Sequence, residues 1–148
     1  MDVDANKGLV ERFYEEVWGR GNVRVADEVF AEDYVRHDLR PTRADPGPAG
    51  QARIAEQFRR AFPDLQWRID FILGEGDLVA ARWTASGTHT AAWGDIPPTR
   101  KRAEFSGVNI FRFGEHGKVV EIWNHRDDLG LMEQLGPAVF AGAPADKR

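Results

Sequence analysis

Apolar residues recur at helical spacing in the first half of the chain and at alternate positions in the second, and the change falls at Leu65. Over 5–19, Leu9, Val10, Phe13, Val17 and Trp18 form one stripe and Glu11, Glu15 and Glu16 lie off it, which predicts an amphipathic helix ended by Gly19 and Gly21. A shorter helix is expected over about 23–31, facing inward with Val25, Val29 and Phe30, and an extended piece over 33–39. The Pro/Gly-rich segment 41–50 reads as a loop and the best candidate for a lid. A third helix over about 50–62 carries Ile54, Phe58, Ala61 and Phe62 on one face and stops at Pro63.

From Leu65 the period is two. LQWRIDFILG, DLVAARWTASGTHTA, RAEFSGVNIFRFG and GKVVEIWNHRD predict four long strands, paired through turns at Glu75-Gly76 and at about Glu115–Gly117. The one long connection is AAWGDIPPTRK, and LGLMEQLG adds a closing helix. Helices first and antiparallel strands after define an α+β class, with three N-terminal helices on one face of a curved sheet in one domain over 1–148.

Strand parity assigns faces. Val120, Ile122, Asn124 and Arg126 share one face of the last strand; Glu121, Trp123 and His125 share the other, which reads as surface or a homo-oligomer interface. Asn109 interrupts Phe105, Gly107, Phe111 and Phe113 on the preceding strand. Polar groups on otherwise apolar walls mark Asn124, Asn109 and Arg126 as site candidates, though a satisfied buried amide or an Arg126 ion pair with Asp127 or Asp128 is the competing reading. Val79, Ala81, Trp83, Ala85 and Gly87 form a face of small residues around one Trp. His37 at a cavity mouth, His89 at a strand end, Trp93 in the long connection and Tyr14 beside the helical stripe complete the candidates.

Composition narrows the chemistry. A net charge of −4 argues against nucleic acid as a partner. No run is long and apolar enough for a membrane span, and MDVDANKGLVERF lacks the layout of a leader, so a cytoplasmic protein is expected. There is no cysteine, the four histidines form no spaced ligand set, and GEGDLV at 74–79 is a hairpin turn rather than a phosphate loop. Five Trp and nine Phe exceed what a small core needs and suit a cavity for a flat ligand.

The strings VERFYEEVWGRGN, FPDLQWRIDFILGEGDLVAARWTASGTH, GDIPPTRKRAEFSG, VVEIWN and LGLMEQLG, spread from about Lys7 to Gly136, resemble the SnoaL-like polyketide cyclases. The resemblance implies an open cone, or α+β barrel, of the superfamily that holds scytalone dehydratase and ketosteroid isomerase, working without metal or organic cofactor. Cyclases of the family close a ring by an intramolecular aldol reaction, with an aspartate on the last long strand as general acid/base. That position is Asn124 here; the family's neighbouring His falls near Phe111 and a Gln near Asn109. An amide does not titrate, and acid/base catalysis typically supplies about 10²–10⁴-fold. Loss of the carboxylate fits a branch of the family thought to hydroxylate anthracycline-type polyketides.

The leading expectation is therefore cofactor-independent hydroxylation of a polycyclic aromatic intermediate, served by a partner reductase. The first alternative is the aldol cyclase, with His37 or His89 replacing the aspartate; the second is a non-catalytic binder. An epoxide hydrolase would need a carboxylate paired with Arg across the cavity, for which only Arg126 and Asp127 offer a hint. Expected catalytic residues are Asn124, Asn109 and His37; expected substrate contacts are Trp93, His89, Trp83, Phe111, Ile122, Arg126 and Tyr14. A homodimer or higher homo-oligomer through the outer sheet face is also expected.

Overall fold

The computed structural model describes residues 2–39 and 46–136. Helix α1 (Val3–Arg12) begins where the Asp2 carboxylate accepts from the Ala5 amide at 3.1 Å, satisfying one of the free donors of its first turn. It continues as a wide π-helical segment, Phe13–Gly19, rather than as the uniform α-helix its spacing predicts. The wider turn still buries Phe13, Tyr14, Val17 and Trp18 together. Of the expected second helix only a 3₁₀ turn, Val23–Val25, and α2 (Ala26–Val29) form. Phe30 already begins strand β1 (Phe30–Asp38), which takes in the piece expected at 33–39.

Helix α3 (Pro48–Ala61) starts with its proline in the first turn, where the missing N–H costs nothing. Of the lid expected over 41–50, residues 48–50 form this first turn, 46–47 are a bend leading into it, and 41–45 lie outside the described residues. Strands β2 (Gln66–Glu75), β3 (Leu78–Thr88), β4 (Arg102–Phe113) and β5 (Val119–Arg126) follow, then α4 (Asp128–Leu135), capped by the Asp127 carboxylate on the Gly130 amide at 2.8 Å.

The sheet has the order β1-β5-β4-β3-β2, with β1 parallel to β5 and every other pair antiparallel. The inner faces of β3 and β4 follow the predicted parity: Val79, Ala81, Trp83 and Ala85 are buried, as are Phe105, Phe111 and Phe113. On β5 the parity slips. Phe113 pairs with Val119 and Arg112 with Glu121, so Val120 is bulged out of register and Val119 takes the buried place assigned to it. From Ile122 onward the predicted face holds.

The helices close over this concave face with an aromatic core. Trp67 stacks on Trp83 at 4.1 Å and on Trp18 at 4.6 Å, and Tyr14 stacks on Trp67 at 5.7 Å. Gly107 makes the arrangement possible, because a Cβ there would stand 2.5 Å from the Trp83 ring and 2.7 Å from the His125 carbonyl. Most of the surplus tryptophan thus fills the cone instead of lining empty space.

Candidate active site

The open end of the cone carries a cleft of about 680 Å³ between α3, the long connection and the ends of β1 and β5, which continues past the strand ends to Arg82, Ser106, Val108 and His125 of the outer sheet face. Phe58, Ile54, Trp93 and Leu129 give it apolar walls; Asp38, Asn124 and Arg126 line its floor. Through Arg36, Ile54, Phe58, Asn124 and Arg126 it adjoins an inner chamber of about 40 Å³ under the tryptophan stack. The cleft is of the size that holds a small-molecule ligand; the chamber holds only an atom or two.

One hydrogen-bonded chain runs from the core to this floor, across β4, β5 and β1. The Tyr14 hydroxyl and the Trp83 indole N–H both donate to Asn109 Oδ1, at 2.5 and 2.8 Å. Asn109 Nδ2 then donates to Asn124 Oδ1 at 2.7 Å, and Asn124 Nδ2 to Asp38 Oδ1 at 3.0 Å. Arg36 closes the chain with a forked pair of hydrogen bonds to Asp38, both at 2.9 Å. Strand register sets this geometry, since Asn124 lies opposite Asn109 on one side and Asp38 on the other.

The direction of the chain is forced. Indole N–H can only donate, and burial keeps the Tyr14 phenol protonated by raising its pKa well above the ordinary value. Asn109 must therefore turn its oxygen to them and its nitrogen to Asn124, which in turn must accept from Asn109 and donate to Asp38. An ionised carboxylate at 124 could not donate, which explains the amide there. Burial alone would raise the Asp38 pKa. The fork and charge of Arg36, the Asn124 hydrogen bond and the charge of Arg126 outweigh it and hold the carboxyl below its ordinary value. Asp38 is thus ionised at neutral pH.

Of the expected site residues, Asn124, Asn109, Ile122, Trp83, Trp93 and Arg126 line the cleft or the chamber. Arg126 combines both readings considered for it: its guanidinium lies 4.6 Å from the centre of the Phe58 ring and pairs with Asp128 at 2.5 Å. Tyr14 is buried behind Asn109 and supports it from the core. Three residues are not brought to the site. His37 lies on the outer face of β1, paired with Glu121 at 2.7 Å and stacked on Trp123, because it sits between the inward positions 36 and 38. His89 is fully buried against Phe62, where its Nδ1 accepts from the Thr99 amide and so pins the long connection; burial lowers its pKa. Phe111, also fully buried, packs against Phe13, Tyr14 and Phe30, beneath the floor.

Arg36, Asp38 and Gln51 are the site residues that sequence reasoning missed. Tyr34, Arg36 and Asp38 alternate, which is a strand signal. Two charges at inward positions disguise it as a surface segment. Arg36 with Asp38, rather than Arg126 with Asp127, is the carboxylate–arginine pair of the throat, while Asp127 is spent on capping α4. Among the described residues no group of three or more His, Cys, Asp or Glu side chains is arranged to hold a metal ion, and no helix is long and apolar enough to cross a membrane.

Fold and site together define an α+β cone with a polar throat opening on an apolar cleft, a frame for small-molecule chemistry. Residues 8–135 match the model of the SnoaL-like polyketide cyclases, and the chain belongs to that family. Among solved structures it is similar to AclR from Streptomyces galilaeus, described as "a putative hydroxylase", with 28% identity, TM-score 0.78, 90% of this chain and 97% of that one covered. It is similar to IdmH from Streptomyces antibioticus, described as "a putative polyketide cyclase", at 28% identity and TM-score 0.72 over 88% and 97% of the two chains. TsrD from Streptomyces laurentii shares 26% identity at TM-score 0.81, over 92% and 98%. A search of curated protein sequences finds no significant match.

Proposed function

We propose that this protein is a tailoring enzyme of aromatic polyketide biosynthesis that hydroxylates a polycyclic, anthracycline-type intermediate. One observation carries the reading. The throat presents two amides whose orientation is fixed from the core, and the carboxylate beside them is held ionised by Arg36. Such a floor is built to bind and orient substrate oxygens. It is poorly built to shuttle a proton near neutral pH, for which a carboxyl with a raised pKa is needed. The likeness to AclR supports the same direction.

The chemistry then belongs to the substrate. A dihydroquinone delivered by a partner reductase reacts with dioxygen at a ring carbon. One oxygen atom enters the product and the other leaves as water, and the quinol is reoxidised to a hydroxyquinone. The rings occupy the cleft between Phe58 and Trp93, Arg126 covers one edge, and the amides of Asn124 and Asn109 offer their remaining N–H groups to substrate oxygens. Incubation with a tetracyclic anthraquinone, a quinone reductase and NADPH should give a product heavier by one oxygen atom. Unchanged substrate under those conditions would count against hydroxylation of that compound.

The aldol cyclase is the second reading, and a specific feature favours it: Asp38 places a carboxylate one strand away from the position the family's aspartate would occupy. His37 and His89, the replacements expected from sequence, lie elsewhere. Aldol cyclisation joins two carbons of one molecule, so it predicts a product of unchanged mass, lighter by one water only where the new alcohol is then eliminated, and a rate that depends on Asp38 changing its protonation.

A further inference from the structure

The inner chamber is lined by buried hydrogen-bond donors that the described side chains leave unsatisfied. Among the described residues Gln51 Nε2 and Trp67 Nε1 are buried without a hydrogen-bond partner, as is Arg36 Nη1, which has only the Tyr34 hydroxyl near it, and all three residues line the chamber. Gln51, in the first turn of α3, is only 3% exposed. Buried donors left unpaired are costly, so three around one small space indicate an acceptor that arrives from outside. At about 40 Å³ the chamber admits an oxygen substituent and not a ring. Charge distinguishes the kind of oxygen. Among the described residues Asp38 pairs with Arg36 and Asp128 with Arg126, a charge balance that suits a neutral acceptor rather than a carboxylate.

The geometry points to a carbonyl-oxygen subsite. Gln51, Arg36 and Trp67 donate to one quinone carbonyl of a polycyclic ligand whose rings lie in the mouth cleft. The subsite fixes which carbonyl enters and therefore which ring edge faces the amides of Asn124 and Asn109. It rests on the quinone substrate proposed above, but not on oxygenation.

The test is binding without reductant, read by quenching of the tryptophan fluorescence. The probes are anthraquinone and anthracene, which share a ring system and differ in the carbonyls. The wild-type protein should bind anthraquinone about tenfold more tightly than anthracene. Gln51→Met and Gln51→Glu should erase that preference while anthracene binding stays unchanged. The glutamate variant, nearly the same shape, takes up the Arg36 donor itself and guards against a failure of the methionine variant to fold, which circular dichroism reports. No preference in the wild type, or one that survives in a folded variant, overturns the subsite. Discrimination in this assay, together with no oxygen gained by a tetracyclic anthraquinone once quinone reductase and NADPH are supplied, leaves the subsite standing and removes hydroxylation of that compound.

Discussion

Two polar chains cross the same three strands on opposite faces of the sheet. The inner one links Asn109, Asn124 and Asp38 on β4, β5 and β1; the outer one links Arg112, Glu121 and His37 on the same strands, with Asp77 at its end. The inner chain is made mostly of amides, because it starts from buried donors and every member must be satisfied where water is scarce. The outer chain joins Arg112 to the carboxylates of Asp77 and Glu121 at a solvated surface, where ion pairs gain little, and ends on the His37 ring. A polar row across a sheet therefore means different things on its two faces, and only the inner one opens on a ligand-sized cleft.

The largest stability effect should come from Asn109→Leu. It strands the Tyr14 hydroxyl and the Trp83 N–H in the core, at an expected cost of about 3–5 kcal/mol by urea denaturation. Asn124→Asp should spare the fold and strike activity, lowering turnover roughly 10²–10³-fold, the usual consequence of losing a positioned donor. The same change sets two carboxylates side by side, so one is forced to hold a proton at a raised pKa. Turnover of the wild type should be flat between about pH 5 and 8, since Asp38 is already ionised there; a new ionisation should enter that window in the variant.

Smaller effects belong to the outer face. Asp70 is held at about 2 by hydrogen bonds from Arg68, Thr84 and Arg82, which outweigh its partial burial. A depressed carboxyl contributes stability above its unfolded value of about 3.9 and loses it as pH falls towards 2. The wild type should thus exceed Asp70→Asn by a constant margin above about pH 5, narrowing below pH 4 in acid titrations of stability. Glu121→Ala should lower stability only slightly, with an effect that diminishes further with added salt, and leave turnover unchanged. An Asn109→Leu cost as small as that of Glu121→Ala would erase the difference between the faces.

Sequence and structure part where function interrupts pattern. The stripes of β3 and β4 were legible because the cone buries every second residue, and Asn109 and Asn124 stood out as polar interruptions in apolar rows. Strand β1 was not legible over its full length, because its inward positions 36 and 38 carry the ion pair of the throat. That hid Asp38 and promoted His37, one residue out of phase. The bulge at Val120 depends on how β5 meets β4, which alternation within one strand does not encode. Nothing in the sequence singles out Gln51, a polar residue at the start of a helix, and only the approach of α3 to the cone buries it.

The most direct measurement follows a reduced tetracyclic anthraquinone under isotopically labelled dioxygen, with wild type and Asn124→Asp compared side by side. The account predicts one labelled oxygen in the wild-type product and little or none with the variant. A wild-type reaction that adds no labelled oxygen, or one that the variant performs equally well, would contradict it.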